Sequence, residues 1–333
     1  MAEPVSAVPS PYHAPRWLPG GHLQTIWPYL LGAPALPLRR TRWERADGDF
    51  NDLDWLDGPG DAPLVVLFHG LEGGSRSHYA RALMHALGRA GWRGVVAHFR
   101  GCSGEPNRLP RAYHAGDSAE IAALLAHLRQ QAGDVPIYAV GVSLGGNALL
   151  KWLGEWGHRA RDFVLRAAAV SAPLDLPAAG RALDRGLNRL YAWHFLVSLK
   201  RKIRQKRAAH VHHLGHLDLG GIWTLRAFDD RVTAPLHGFR DAEDYWRCAS
   251  ARPWLVRIAV PTLILNARND PFLPAAALPG PDEVSAWVEL DYPAEGGHVG
   301  FLSGPFPGRL DWLPQRLLTF FAADTQRRPA SSS

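Results

Sequence analysis

Ser143 stands in a pattern that suits a nucleophile. The apolar run from Ile137 to Val142 predicts a strand, and an apolar stripe of period near 3.6 that begins at Leu144 predicts a helix. The serine therefore occupies a sharp strand-to-helix turn, where its hydroxyl would project beyond the end of a sheet. Such a turn needs small residues two positions before and after the serine, and Gly141 and Gly145 stand there. An ordinary glycine-containing turn is the alternative explanation.

A serine hydroxyl needs a base that removes its proton and an acid that orients the base. Two segments after Ser143 supply these residue types in the order acid, then base. Asp270 follows the apolar run at 263–265, and His298 follows two glycines after the last predicted strand. Taken singly, an aspartate before proline is a common turn former. Together, in this order and at strand ends, the three residues predict a catalytic charge relay for acyl transfer.

The same chemistry needs backbone N–H groups that bind the oxyanion of the tetrahedral intermediate. We expect them at Leu144, directly after the serine, and at Leu71, in the glycine-rich loop after the buried strand 64–68. His69 precedes Ser143, so we expect it to shape this loop rather than to act as the base. Asp175, which follows the strand before the break in the pattern, is the alternative acid.

The elements that would position these residues alternate along the chain. We predict strands at 64–68, 94–99, 137–142, 164–171, 262–266 and 285–291, and helices at about 77–90, from 117, from 144 and at 310–321. A hairpin is predicted from 39–46 and 53–56, around the turn at 47–49. This alternation predicts an α/β fold with a mostly parallel central sheet and helices on both faces.

The alternation stops from about 174 to 253, in a helical, basic and aromatic stretch called the cap segment below. We expect it to lie over the carboxyl edge of the sheet, where its aromatic side chains suit an apolar substrate. The expected division is a flexible N-terminal arm at 1–15, a domain at 16–325 that contains the cap segment, and a disordered tail at 326–333. Within the domain, Trp17, Leu23, Ile26 and Trp27 are expected to be buried.

Composition excludes several classes of protein. Of 333 residues 47% are hydrophobic, which allows a sizeable core and argues against global disorder. The net charge of +6 is too diffuse to indicate nucleic-acid binding. Two cysteines are too few for a disulfide framework and indicate a reducing compartment. Because no signal-peptide pattern and no apolar run of about 18 residues is present, we predict a cytoplasmic location.

Other clusters have simpler explanations than chemistry. The basic run at 200–207 is typical of a solvated helix face, with weak peripheral membrane contact as the alternative. Four histidines at 210–216 have metal-like spacing, but no carboxylate or cysteine cluster completes a zinc motif. Cys102 has no neighbour in sequence that marks it as a nucleophile. No phosphate loop is present, so neither a metal nor a cofactor is predicted.

Several segments together resemble one family. They include Trp17-Leu18-Pro19-Gly20-Gly21-His22-Leu23-Gln24-Thr25, His69-Gly70-Leu71-Glu72-Gly73, Arg100-Gly101-Cys102-Ser103-Gly104, Gly141-Val142-Ser143-Leu144-Gly145-Gly146-Asn147, Asn269-Asp270-Pro271-Phe272 and Gly296-Gly297-His298-Val299-Gly300-Phe301. The chain is similar to the YheT-like α/β-hydrolase family, which is related to eukaryotic hydrolase-domain phospholipases and monoacylglycerol lipases. The resemblance extends from Pro15 to about Phe321.

The resemblance implies an α/β-hydrolase fold and a charge relay of Ser143, Asp270 and His298. It also implies hydrolysis of small carboxylic esters, as a short-chain carboxylesterase or an acylglycerol lipase, with an apolar acyl ester as substrate. A thioesterase or amidase with the same three residues is one alternative. A non-catalytic lipid-binding protein on a hydrolase fold is the other. The sequence does not indicate an oligomeric state.

Overall fold

A single mixed sheet forms the centre of the molecule, with strand order β1-β2-β4-β3-β5-β6-β7-β8. The computed structural model describes residues 11–323. Its strands are β1 Arg39–Glu44, β2 Phe50–Leu56, β3 Leu64–Phe68, β4 Arg93–Ala97, β5 Ile137–Val142, β6 Arg166–Val170, β7 Thr262–Leu265 and β8 Val288–Asp291. Strands β3 to β8 are mutually parallel, and the antiparallel hairpin β1–β2 extends the edge next to β4.

Residues 11–323 also form eleven α-helices, some of which cover the two faces of this sheet. They are α1 Gly21–Leu31, α2 His78–Arg89, α3 Ser118–Ala132, α4 Leu144–Trp156, α5 Leu176–Leu183, α6 Asn188–Arg207, α7 Val211–Leu214, α8 Leu225–Phe228, α9 Ala234–His237, α10 Ala242–Ala249 and α11 Trp312–Ala322. Alternate residues of β3 divide between two buried clusters: Leu64 and Val66 pack with α3 and α4, while Val65 and Leu67 pack with α2 and α11. The continuous apolar run of β3 therefore reflects burial on both faces.

The parallel direction of β3 to β8 decides where the candidate residues lie. The loops that follow parallel strands gather at one edge of a sheet, beyond the carboxyl ends. Leu71 follows β3, Ser143 follows β5, Asp270 follows β7 and His298 follows β8. The sheet therefore brings four segments that are far apart in sequence to a common edge.

The predicted fold class is confirmed, with small shifts at element ends. The strand predicted at 94–99 is β4 at Arg93–Ala97, and the strand predicted at 285–291 begins only at Val288. Helix α3 begins next to the predicted start at 117, where the side chain of Asp117 caps it by accepting a hydrogen bond from the backbone N–H of Glu120.

The cap segment lies between β6 and β7 and contains helices α5 to α10. It has a buried apolar cluster of its own, to which Leu196, Ile203 and Phe228 contribute. The prediction that the basic run at 200–207 is a solvated face is wrong for two of its residues. Lys206 is buried and donates to the side-chain oxygen of Asn107 at 2.9 Å, and Lys202 donates to Glu72 at 2.6 Å.

The N-terminal region also differs from expectation. Tyr12 is buried, its hydroxyl donates to the carbonyl of Leu302 at 2.8 Å, and its ring packs edge-on against Phe301. Tyr12, which the predicted arm includes, therefore packs on the domain. Leu23 and Ile26, expected to be buried, are 50% and 40% exposed. Residues 1–10 and the predicted tail at 326–333 lie outside the described residues, and the division into arm, domain and tail stays a prediction.

Membrane-spanning helices were also sought. Among residues 11–323, none of the helices combines the length and the apolar character that crossing a bilayer requires.

Candidate active site

The turn at Ser143 is as tight as its glycines suggest. The backbone φ of Ser143 is 52°, in the left-handed region that residues other than glycine rarely adopt. A Cβ atom on Gly141 would lie 2.5 Å from the carbonyl oxygen of Gly145, and one on Gly145 would lie 2.5 Å from that of Phe68. Larger residues would therefore push the start of α4 away from the sheet. The strained backbone presents the serine side chain at the end of β5.

Ser143, His298 and Asp270 form a continuous hydrogen-bonded chain. The Oγ of Ser143 lies 3.0 Å from Nε2 of His298, and Nδ1 of His298 lies 2.8 Å from Oδ2 of Asp270. Nδ1 of His298 carries the ring hydrogen and donates it in a hydrogen bond to the aspartate. Nε2 is therefore unprotonated and can accept the hydroxyl proton of the serine. The Asp270 side chain is fully buried, and its other oxygen accepts from the N–H of Phe272 at 2.8 Å. This arrangement can remove a proton from the serine and hold the resulting imidazolium.

Asp175, the alternative acid, does not join this chain. Its Oδ1 accepts from the N–H of Ala178 at 2.9 Å, so it caps the start of α5. Its Oδ2 lies 3.6 Å from a guanidinium nitrogen of Arg252. The structure places Asp270 beside the histidine and Asp175 elsewhere.

The loop that carries His298 is held at both sides of the histidine. The backbone N–H of His298 donates to Oγ1 of Thr25 at 2.9 Å, and that of Val299 donates to Oγ of Ser171 at 3.1 Å. Val299 also has a left-handed φ of 59°. Two side chains from distant parts of the chain therefore fix the backbone on which the imidazole sits.

Helix α1 connects the loop of Asp270 with the loop of His298. Gln24 is buried, and its Oε1 accepts both from Nδ2 of Asn269 at 2.8 Å and from the N–H of Gly296 at 2.9 Å. Asn269 in turn accepts from the N–H of Gly297 at 3.0 Å. The backbones also touch: a Cβ atom on Gly300 would lie 2.0 Å from the carbonyl oxygen of Gln24. We call Gln24, Thr25 and Asn269 the loop clasp.

Sequence reasoning missed the loop clasp. Gln24 and Thr25 stand within the N-terminal motif and Asn269 stands beside Asp270, but their residue types alone predict no role for them. The available signal was a pair of polar residues among apolar ones, which indicates buried hydrogen bonding when the segment packs on a domain. The partners of these residues are 245 and 273 positions away in sequence, so the pattern could not name them.

The loop after β3 passes close beside Ser143. A Cβ atom on Gly70 would lie 3.1 Å from Cβ and 3.7 Å from Oγ of Ser143, so glycine allows this approach. Leu71 follows in this loop, and Leu144 begins α4, where backbone N–H groups lack helical partners. Within residues 11–323, neither Leu71 nor Leu144 donates its N–H to a protein acceptor. Both residues line the cavity described below.

The buried side chain of His69 holds this loop through hydrogen bonds. Its Nε2 accepts from the N–H of Phe99 at 3.1 Å, which requires the hydrogen to be on Nδ1, and Nδ1 donates to the carbonyl of Gly70 at 2.8 Å. Burial lowers the pKa of His69 to about 3, so the ring is neutral. These contacts agree with the expectation that His69 shapes the loop.

Glu72 ties the same loop to the cap segment. It has φ 56° and accepts from the hydroxyl of Tyr113 at 2.8 Å. From α6, Lys202 donates to it at 2.6 Å and Ser198 donates through its hydroxyl. Lys202 also donates to Sγ of Cys102 at 3.2 Å, while burial raises the pKa of that thiol to about 11. Cys102 is therefore a protonated neighbour of this contact, which fits the sequence interpretation.

A mainly apolar cavity of about 170 Å³ lies between the sheet edge and the cap segment. Its walls combine Leu71 and Leu144 with apolar side chains of the cap segment, among them Leu176, Ile203, Phe228 and Trp246. No group of three His, Cys, Asp or Glu side chains within the described part of the chain is arranged to hold a metal ion.

Comparison with known proteins identifies the family. A family model described as the alpha/beta hydrolase fold matches residues 63–305. The Escherichia coli K12 protein YheT, provisionally named an esterase, is 42% identical over 304 residues, which cover 89% of this chain and 88% of that protein. The chain belongs to the YheT-like α/β hydrolases.

This α/β hydrolase is also similar to a mammalian protein and to a solved archaeal structure. Phospholipase ABHD3 of Mus musculus is 30% identical over 323 residues, covering 94% of this chain and 78% of that protein. The solved structure of the Pyrococcus furiosus esterase Pf2001 has a TM-score of 0.55, covers 87% of this chain and 94% of its own, and is 15% identical. At that identity it supports the fold alone. The family resemblance and the fold class expected from sequence are therefore confirmed.

Proposed function

We propose that the protein is a serine hydrolase that cleaves carboxylic esters through an acyl-enzyme intermediate. The observation that carries this proposal is the hydrogen-bonded chain Ser143–His298–Asp270, with 3.0 Å and 2.8 Å between its members. The names of the related proteins, an esterase and a phospholipase, also favour an ester substrate.

In the first half-reaction His298 accepts the hydroxyl proton as Ser143 attacks the ester carbonyl. Asp270 orients the imidazole and stabilises its charged form. The backbone N–H groups of Leu71 and Leu144 donate to the oxygen that becomes negative. His298 then gives its proton to the departing alcohol, and the acyl group stays on the serine.

In the second half-reaction water replaces the alcohol. His298 removes a proton from the water molecule while the water oxygen attacks the acyl carbonyl. The N–H groups of Leu71 and Leu144 bind the second oxyanion. Collapse of this intermediate releases the carboxylic acid, and the proton returns to Ser143. The cycle needs no group beyond these side chains, the two backbone amides and water.

The cavity under the cap segment suits the acyl or alcohol part of the ester. Its wall is mainly apolar and includes both oxyanion candidates, Leu71 and Leu144, so a bound acyl chain would begin next to the reacting carbonyl. A short-chain carboxylesterase or an acylglycerol lipase fits such a site. A cytoplasmic location remains part of this proposal, and cell fractionation tests it.

Labelling and a substrate panel test the proposal. We expect a fluorophosphonate probe to label the full chain and mass spectrometry to map the label to Ser143. We expect acyl esters of graded length to be hydrolysed faster than matched acyl-CoA thioesters and amides. Faster turnover of the thioesters or amides would favour a thioesterase or amidase. An unlabelled Ser143 would favour a non-catalytic lipid-binding protein.

The loop clasp gives a second test. In Gln24→Leu the N–H of Gly296 and the side-chain amide of Asn269 lose their common acceptor. The distance between the Asp270 loop and the His298 loop is then no longer fixed by this residue. We expect kcat for p-nitrophenyl butyrate to fall by roughly 10- to 100-fold with a smaller change in KM, because small misplacements of a catalytic group are costly.

Gln130→Leu is the matched control, since Gln130 is an exposed glutamine on α3. It should leave kcat and KM unchanged, and both variants should be compared by thermal unfolding. If Gln24→Leu alters KM alone, or only lowers the unfolding temperature, Gln24 does not position the catalytic loops.

A further inference from the structure

Helix α1 exposes an apolar stripe although its other side packs on the catalytic loops. Leu23, Ile26 and Leu30 lie at i, i+3 and i+7 on one side of the helix, and Leu30 is 67% exposed. No Asp, Glu, Lys or Arg occurs between Gly21 and Leu31. Gln24 and Thr25, by contrast, are buried. The exposed stripe is therefore additional to the contacts that fix α1 in the fold.

Helix α6 also exposes a stripe of side chains with the same spacing, and this stripe changes from apolar to cationic along the helix. Leu190, Trp193 and Val197 follow the i, i+3, i+7 pattern, and Trp193 is 60% exposed. The same side continues one and two turns later with exposed Arg201 and Arg204. The helix contains seven Lys and Arg residues and no Asp or Glu. One face of α6 is thus apolar at its beginning and cationic at its end.

The two helices that carry these stripes meet beside the candidate active site. His22 of α1 stacks on Tyr191 of α6, with Nδ1 and the hydroxyl 3.2 Å apart. The Tyr191 ring is 4.8 Å from that of Phe272, which in turn is 4.2 Å from the imidazole of His298. Three aromatic contacts therefore connect the junction of the helices with the catalytic histidine.

We propose that these stripes form a docking face for the surface of a bilayer that contains anionic lipids. The docking face consists of Leu23, Ile26 and Leu30 of α1, Leu190, Trp193 and Val197 of α6, and the arginines at 201 and 204. The apolar side chains enter the boundary between headgroups and acyl chains. The arginines pair with headgroup phosphates, since a cationic surface without acidic residues attracts an anionic membrane.

A lipid surface fits these features better than a second copy of the chain. Two identical faces would bring Arg201 and Arg204 of each copy toward a surface that offers no carboxylate on α1 or α6. The position next to His298 also suits a substrate that partitions into lipid, and this last step rests on the proposed ester hydrolase function. The docking itself does not depend on turnover.

Vesicle co-sedimentation of the full chain tests the docking face. It should be done with Ser143→Ala protein, so that the result is independent of hydrolysis. We expect binding to vesicles of equimolar phosphatidylcholine and phosphatidylglycerol, with weaker binding to phosphatidylcholine alone. The double variant Leu30→Ser/Leu190→Ser should bind at least about tenfold more weakly, because two leucines no longer leave water. Arg201→Gln/Arg204→Gln should lose mainly the preference for phosphatidylglycerol.

The matched control is Leu165→Ser/Val256→Ser, which replaces two apolar residues that are 41% and 53% exposed. Leu165 directly precedes β6 and Val256 lies before β7, so both are near the amino edge of the sheet. This control should bind like the parent, and thermal unfolding should show that each variant folds. The proposal is overturned if the parent does not sediment with anionic vesicles, or if the control loses as much binding as Leu30→Ser/Leu190→Ser. It is also overturned if that variant instead dissolves a dimer seen by sedimentation velocity.

Discussion

Replacing Ser143 with alanine is expected to reduce ester turnover by roughly four to six orders of magnitude. The variant keeps Asp270, His298 and the backbone amides of Leu71 and Leu144, but it has no atom that can form the acyl-enzyme. Because Ser143 is only partly buried and its hydroxyl is hydrogen-bonded to His298, its loss removes no packing from the core. The measurement is hydrolysis of p-nitrophenyl butyrate by protein purified from a host that lacks background esterase.

Ser285→Ala is a suitable control for this experiment. Ser285 precedes β8, near the opposite edge of the sheet, and its hydroxyl donates to the carbonyl of Ile258 at 2.6 Å. The same hydroxyl accepts from the N–H of Trp287 at 3.2 Å, so the variant loses two hydrogen bonds of ordinary strength. It should change turnover little, because both lie far from the reacting atoms. Unchanged hydrolysis by Ser143→Ala would eliminate the acyl-enzyme mechanism, whatever the family assignment.

The sequence predicts the central part of this site because a fold-level rule connects residues that are far apart. Runs such as Leu64–Phe68 identify buried strands, and parallel strands bring their following loops to one edge. Ser143 and Asp270 follow such buried strands, and His298 follows the partly exposed last strand β8. The sequence therefore predicts that they meet at one edge, but it does not predict the separations of 3.0 Å and 2.8 Å.

The contacts of α1 could not be predicted in the same way. Its apolar residues suggest burial, yet Leu23 and Ile26 are exposed, while the polar Gln24 and Thr25 face inward. A hydrophobic pattern reflects only how costly it is to expose each side chain to water. It contains no information about the hydrogen-bond partners that a distant loop provides. Here the N–H groups of Gly296 and His298 need acceptors, which makes an inward amide at Gln24 and an inward hydroxyl at Thr25 favourable.

Charge patterns have a similar limit. The run at 200–207 gives the sign of the charge but not the direction of each side chain. Lys202 turns inward because Glu72 offers a carboxylate, and Lys206 because Asn107 and two backbone carbonyls satisfy its ammonium group. Burying an ammonium group without such partners would be costly. Only the fold places those acceptors next to α6.

These contacts give α1 and α6 a common consequence. Helix α1 holds the loops of Asp270 and His298, whereas α6 holds the loop of Leu71 through Glu72 and the loop of Asp270 through Asn188, which donates to the carbonyl of Pro271. All of the loops proposed for catalysis, apart from the turn at Ser143, are thus attached to two helices with exposed apolar stripes. A surface that binds those helices would act directly on the elements that support the site.

The assignment of the acid leads to the second large effect. Asp270→Asn is expected to lower kcat for p-nitrophenyl butyrate by about 10⁴-fold while leaving the fold and KM nearly unchanged. An asparagine amide can donate a hydrogen to Nδ1 of His298, which moves the ring hydrogen to Nε2. The imidazole then cannot accept the proton of Ser143, although all three side chains remain in place. Steady-state kinetics and thermal unfolding measure the two properties separately.

Asp175→Asn provides the matched comparison, since Asp175 is the alternative acid suggested by the sequence. An asparagine at that position can still cap α5 through its side-chain oxygen, so we expect nearly full activity. If Asp175→Asn lost activity and Asp270→Asn retained it, the catalytic acid would have to be reassigned. Equal losses in both would indicate that His298 responds to the acidic surroundings rather than to one hydrogen-bonded carboxylate. The 2.8 Å contact between His298 and Asp270 leads us to expect a loss in Asp270→Asn alone.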